Sequence, residues 1–294
     1  MLGIDSEVSV PKLPSDVGEF YDQLSAGWEA DRGEHLHLGF FDIPAPPDDL
    51  LDHGAAGVRM IEESLKFAGI SDEESKRPRR VVDVGCGMGG SSRYLTKKYG
   101  AHVDGITLST WQVERATALT AAEGLSEKVV FQVANALDQP FPDGHFDLVW
   151  AMESAEHMPD KEKFMQELAR VAAPGGSIII TTCCHRDLLK GETSLQPSEQ
   201  ELLDRINRIC ALPAWCSTAD YVRMAETLSL ENIKTADWSE NVAPFWSSAM
   251  NKLSSVFFES AMKAMKGVNP LSIWMDGFKQ ELVKYAVITA QKPA

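Results

Sequence analysis

The sequence predicts an α/β protein built on a doubly wound sheet, and three observations carry that reading. Short apolar runs alternate with amphipathic stretches between residues 81 and 182, the β-α-β rhythm of a parallel sheet covered on both faces. A glycine-rich turn, VVDVGCGMGG, lies at the end of the first apolar run. A last strand-like run, KYAVITAQ (Lys284 to Gln291), closes the chain.

Each element has its own signal. From Asp16 to Ala30 the apolar residues Val17, Phe20, Tyr21, Leu24 and Trp28 share one helical face. EHLHLGFFD reads as an extended segment, and the prolines of IPAPPDD demand a loop. Gly54 to Ala68 carries Val58, Ile61 and Leu65 at helical spacing, and the charged run SDEESKRPRR reads as a solvated linker. Strands are expected at Val81–Gly85, His102–Leu108, Val129–Ala134, Phe146–Met152 and Gly175–Thr182. Between them lie helices in SSRYLTKKYG, in Thr110–Glu123, and in DKEKFMQELARVAAPGG, the last ending at Pro174-Gly175. Further on, helices at Ser198–Cys210 and Ser217–Leu228 precede a strand in ENIKTADWS, and the closing strand makes seven. The segment Val242–Lys279, between the last two strands, is rich in Phe, Trp and Met. The expected layout is one compact domain: residues 1–75 with N-terminal helices, 76–190 as the core, and 191–294 as a cap plus the closing strands.

Composition narrows the functions. At 294 residues and 44% hydrophobic content the chain can bury a proper core. A formal net charge of −15 repels phosphate backbones and anionic lipid. The expected partner is therefore a small molecule, not nucleic acid, and no run reaches the roughly 20 apolar residues that span a bilayer. Five cysteines without CxxC spacing suggest reduced thiols, with neither disulfide framework nor metal site. The acidic start lacks signal or transit character. The expected location is the cytoplasm, or a plastid if a transit segment has been trimmed.

The glycine turn points to a cofactor. Gly85, Gly87 and Gly89 let the backbone turn tightly and approach a ligand, and the turn leads into a helix N-terminus. Gly85, Gly87 and Gly90 also satisfy the G-x-G-x-x-G dinucleotide pattern, so the glycines alone leave the cofactor open. Asp83, just before them, tips the balance. A carboxylate there suits the ammonium of a methionine moiety and gains nothing against a pyrophosphate. Downstream, Asn135 and Ala136 fall in an adenine-side loop, and Met152 ends a strand facing the sulfonium.

At this point the chain resembles the plant γ-tocopherol C-methyltransferases. In layout it resembles more closely their relatives that N-methylate monoterpene indole alkaloids. The resemblance rests on eight blocks in order: EFYDQLSAGWE, GEHLHLGFFD, DVGCGMGGSSRYL, GITLSTWQ, MESAEHMPDK, CHRDL, LPAWCSTADYV and ADWSENVAPFW. It implies a Rossmann-like class I core whose last strand is antiparallel, under a lid of N-terminal helices and a C-terminal cap insertion. It implies S-adenosyl-L-methionine as cofactor, with S-adenosyl-L-homocysteine as product, held by Asp83, Gly85, Gly87, Thr107, Leu108 and Gln112. Gln112 is expected to contact the ribose. Two departures stand out: Asn135 replaces an aspartate common on the adenine side, and Cys183 stands where a tryptophan is expected before Cys-His-Arg. The second puts tocopherol specificity in doubt, which favours an alkaloid amine as acceptor. A homodimer would be unsurprising.

In-line methyl transfer needs positioning, and a base only where the nucleophile carries a proton. Glu153, Ser154 and His157 end the fourth strand, where ligands bind in doubly wound sheets. Glu153 is expected to hold a cationic or hydroxyl-bearing acceptor and His157 to take a proton, unless His157 merely caps the next helix. His185 follows the fifth strand on the same rim, with a backbone-bonded loop role as the alternative. His35 and His37 alternate in a segment expected to line the cofactor. Tyr21 and Trp28 are core residues by spacing and lid residues by resemblance. Trp215, Phe245, Trp246 and Trp274 could wall a flat acceptor pocket or pack the cap.

Overall fold

The computed structural model of the chain describes residues 33–210, 212–251 and 270–294, together with Gly18, Tyr21, Asp22, Ser25 and Glu29. Seven strands form one sheet: β1 (Arg80–Val84), β2 (His102–Thr107), β3 (Val129–Val133), β4 (Phe146–Met152), β5 (Ala172–His185), β6 (Glu231–Asp237) and β7 (Val283–Gln291). Their order is β3-β2-β1-β4-β5-β7-β6. Strands β1 to β5 pair in parallel, and β7 runs antiparallel to both of its neighbours, β5 and β6. The expected seven-stranded sheet with a reversed final strand is therefore present. Among the described residues no helix is long and apolar enough to cross a membrane.

Alternation along β4 explains the two layers. Leu148, Trp150 and Met152 join one buried cluster, with Met60, Ile61 and Leu65 of α1 (His53–Ala68). Val149 and Ala151 join the other, with Phe164 and Leu168 of α4 (Lys161–Val171) and Tyr221 and Ala225 of α6 (Thr218–Thr227). A strand apolar on both faces must be covered twice. The first face is also packed by α2 (Gly90–Tyr99), α3 (Thr110–Ala122), α5 (Pro197–Cys210), α7 (Ser239–Asn251) and α8 (Pro270–Lys279).

Local chemistry sets the helix ends. Asp52 accepts from Ala55 N at 2.9 Å to start α1, and Gly69 at φ 73° closes it. Ser217 and Asp220 form a reciprocal capping box on α6. Each such cap contributes about 1 kcal/mol. One expected boundary is wrong. The helix before β5 stops at Val171, and Ala172 already pairs with Phe146, so AAPGG belongs to the strand. Pro174 disfavours helical geometry at Ala173, and a register shift between Phe146 and Leu148 absorbs the irregularity.

Candidate active site

The glycine turn sits at the carboxyl ends of β1, β2 and β4. Gly85 N and Cys86 N donate to Ile106 O at 2.8 and 3.0 Å, which ties the turn to β2. Gly85 has φ 84°, and a Cβ there would lie 2.3 Å from Ser154 Cβ, so only glycine lets the ends of β1 and β4 meet. Ser154 Oγ donates to Val84 O at 2.7 Å and closes that junction. Asp83, behind the turn, is buried, and accepts from Ser92 Oγ at 2.6 Å. Burial pushes its carboxyl up to about 6, against the hydrogen bonding of Ser92 and the charge of Arg93.

A segment from the N-terminal side lies over the turn. Arg93, fully buried on α2, pairs with Glu34 and Glu123 and donates to Met88 O at 2.7 Å. That fixes Glu34 to Leu38 against the turn, where a Cβ on Gly90 would meet His35 Nδ1 at 2.7 Å. Further upstream, Gly18, Tyr21, Asp22, Ser25 and Glu29 are helical. Their spacing puts one polar edge along α3. Asp22 bonds Ser109 Oγ and Trp111 N, Ser25 Oγ accepts from Gln112 Nε2 at 2.9 Å, and Glu29 receives Arg115 in a bidentate pair. At the other side Tyr21 OH and His157 Nε2 are 2.8 Å apart. The helix is latched on both sides of the site.

Between these parts lies a cavity of about 280 Å³. One end of it is apolar, with Phe245 and Trp246 from α7, Leu271 and Trp274 from α8, and Cys183 from β5. Trp246 and Trp274 stack with centroids 5.3 Å apart and planes 10° off parallel, and Trp215 backs Trp274 at 5.7 Å. The polar edge of the cavity comes from Glu153, Glu156 and His157. Glu153 has φ 51°, a conformation costing a non-glycine residue about 1 to 3 kcal/mol, and such strain is concentrated at functional sites. Its Oε1 accepts from Leu38 N at 2.8 Å and from Tyr285 OH at 2.7 Å. Glu156 Oε1 accepts from Cys183 N at 2.7 Å. Burial, helped by the nearby Lys161 charge, pushes His157 down to about 4, so its ring is neutral.

Comparison with known proteins agrees with this geometry. Residues 82–180 match the family described as Methyltransferase domain. A chloroplastic tocopherol O-methyltransferase of Arabidopsis thaliana is 53% identical over 293 residues, covering 97% of this chain and 84% of that protein. The norajmaline N-methyltransferase of Rauvolfia serpentina is 41% identical over 284 residues, covering 94% and 97%. Among solved structures, the geranyl diphosphate C-methyltransferase of Streptomyces coelicolor A3(2) with S-adenosyl-L-homocysteine superposes at TM-score 0.76. It has 19% identity and covers 94% of this chain and 96% of that one. The chain belongs to the tocopherol methyltransferase-like family of S-adenosylmethionine-dependent methyltransferases.

The methyltransferase's own residues fit that cofactor. Asp83 is a buried carboxylate whose desolvation a ligand ammonium would relieve, and it lines the cavity together with Gly85, Gly87, Thr107, Leu108, Gln112 and Met152. His37 Nε2 on the same wall is buried with no hydrogen-bond partner, a position that suits a polar ligand. Both ends of the Gln112 amide are engaged, by Thr107 Oγ1 at 2.7 Å and by Ser25 Oγ, so a ribose contact from Gln112 would replace one of those bonds.

The remaining expected site residues divide. Tyr21, His35, His37, Glu153, His157, Phe245 and Trp246 reach the cavity. Gly89, Asn135, Ala136, His185 and Trp215 are not part of its lining. Gly89 instead makes room for Phe131, whose ring would lie 2.3 Å from an added Cβ. Asn135 closes a turn by accepting from Leu137 N, Ala136 is core, and His185 Nδ1 bonds Arg186 O at 2.7 Å. Trp28 lies outside the described residues. Two residues went unrecognised in the sequence. Glu156 stands in MESAEHMPDK, three residues after Glu153, and that spacing on a tight turn is its signal. Tyr285 had none, because only the pairing of β7 with β5 sets it opposite Cys183.

Proposed function

We propose that this methyltransferase methylates a largely apolar phenolic ring compound of the tocopherol type. The observation that carries the reading is the acceptor end of the cavity, a stacked tryptophan wall joined to a short polar edge of two carboxylates and a neutral histidine. The sequence by itself favoured an alkaloid amine. The higher identity to the tocopherol relative, 53% against 41%, supports the phenol first. That relative is named chloroplastic, and a plastid is the compartment we pair with this acceptor.

In this reading Asp83 and the turn at Gly85 and Gly87 hold the methionine end, with Thr107 and Leu108 beside the nucleoside. S-adenosyl-L-methionine supplies an electrophilic methyl group when bound. Phe245, Trp246 and Trp274 exclude water and orient the ring, and Tyr21 with His157 closes the lid over the reacting atoms. Glu153, tied to Leu38 and Tyr285, holds the lid segment against β7.

The second reading is a cyclic amine, favoured by the carboxylates Glu153 and Glu156 and by the alkaloid relative. Incubation with methyl-labelled cofactor, γ-tocopherol and norajmaline separates the two. We expect label in the phenol. Transfer to the amine alone would overturn the first reading in favour of the second, and mass and NMR spectra of the product identify the methylated atom.

A further inference from the structure

We propose that Glu156 is the residue that takes the acceptor's proton, an assignment that rests on the methyl-transfer reading above. Three observations meet at this side chain. It lines the cavity beside Cys183, Glu153 and His157. One oxygen, Oε1, is anchored by Cys183 N at 2.7 Å, whereas Oε2 is buried with no hydrogen-bond partner. An acceptor O–H or N–H supplies the bond that Oε2 lacks, and leaving it unmade is costly. Lys161, at the start of α4, holds the turn that carries Glu156. Its ammonium donates to Ala155 O, Glu156 O and Met158 O at 2.8, 2.9 and 2.8 Å.

The choice between Glu156 and His157 follows from charge. A proton on Glu156 removes a buried negative charge, and burial already lifts this carboxyl above its ordinary range. A proton on His157 creates a buried positive charge near the Lys161 ammonium, whether on Nε2, engaged by Tyr21, or on Nδ1, which is buried without a partner. Charge and not occupancy therefore decides against the ring. The groups facing Glu156 are Lys161 from α4, the Thr182 hydroxyl with Cys183 and Cys184 from β5, and Tyr221 from α6. Of these only Lys161 is cationic, and it steadies the carboxylate until the proton arrives.

The step balances with one proton per turnover. The acceptor's O–H or N–H bond breaks, and its proton goes to Glu156 Oε2. The acceptor's electron pair forms the new bond to the methyl carbon, and the pair of the broken S–CH₃ bond stays on sulfur. Reopening of the lid lets water collect the proton from Glu156.

The test compares Glu156→Gln, which keeps shape and an oxygen for Cys183 N, with Glu156→Asp and His157→Asn. With γ-tocopherol or norajmaline, whichever the wild type methylates, Glu156→Gln should lower kcat by about 100-fold or more, the range of a lost general base. Cofactor Kd by calorimetry should stay within about twofold, and Glu156→Asp should recover part of the rate. Glu156→Gln within about threefold of wild type, or a larger loss in His157→Asn, would overturn the assignment. A wild type inactive on both acceptors would instead remove the functional reading. The carboxyl is then tested with phenol as probe. Its binding should shift the carboxylate stretching band in infrared difference spectra of the wild type and not of Glu156→Gln, and an identical response in both sinks the proposal.

Discussion

The two ends of the cavity are built in opposite ways. At the end proposed to hold the cofactor, Asp83, Gly85 and Gly87 come from one continuous turn, and Thr107 to Gln112 from the next strand end. At the acceptor end, Tyr21, Glu156, Cys183, Trp246 and Trp274 come from five separate elements spread over most of the chain. A site made from one turn keeps its geometry as long as β1 and β2 pair. A site assembled from distant elements depends on the whole fold and can change its shape by repacking side chains.

Substitutions can break that contrast or sharpen it. The largest effect is expected for Gly85→Val. A side chain at φ 84° and 2.3 Å from Ser154 Cβ must push β1 and β4 apart, and both cofactor binding by calorimetry and the melting transition should be lost. Retained binding would show that the turn does not form the cradle.

Asp83→Asn should come next, weakening cofactor binding about tenfold or more. Its pH signature follows from the raised pKa. Wild-type affinity should be flat above about pH 6 and fall below it, as the carboxyl takes up its own proton and loses its hold on an ammonium. The variant should show no such fall. The stability sign is opposite. The folded value of about 6 exceeds the ordinary 3.8, so the ionised carboxyl costs the free enzyme stability above pH 6 and the cost fades as pH falls toward 3.8. Asp83→Asn should therefore melt above wild type at pH 8 without cofactor. A lower melting point there would show that the buried charge is already compensated.

At the other end, Trp246→Ala removes one face of the tryptophan stack. Acceptor KM should rise about tenfold while cofactor Kd holds within twofold, the separation that two independently built ends require. Equal losses in both would show that the ends are coupled. The smallest effect is expected for Arg115→Ala. Its pair with Glu29 is partly exposed, 40% and 23% for the two side chains, so water screens it. Cofactor release followed by stopped flow should quicken about twofold, and an unchanged rate would remove this latch from the lid.

The end proposed for the cofactor was legible in the sequence because its residues are neighbours in the chain, the glycines demanded by backbone geometry and Asp83 marked by its charge beside them. Gly85 and Asp83 could be picked out for that reason. The acceptor end was legible only in part. Phe245 and Trp246 could be chosen as large aromatics in an irregular segment, yet Trp215, chosen on the same grounds, supports the wall from behind. His185 shares the rim in sequence order but turns to a backbone carbonyl. Glu156 has one local signal, its spacing from Glu153 on a tight turn, and that spacing does not say which carboxylate is buried. Its burial depends on β5.

By itself the sequence determined the strand and helix order and the glycine turn, because period, turn chemistry and apolar alternation act over a few residues; the reversed last strand followed from the family resemblance. The tertiary structure decided which carboxylate is buried unpaired and which tryptophans stack. Those outcomes depend on desolvation and packing between segments far apart in the chain, and no local pattern encodes them.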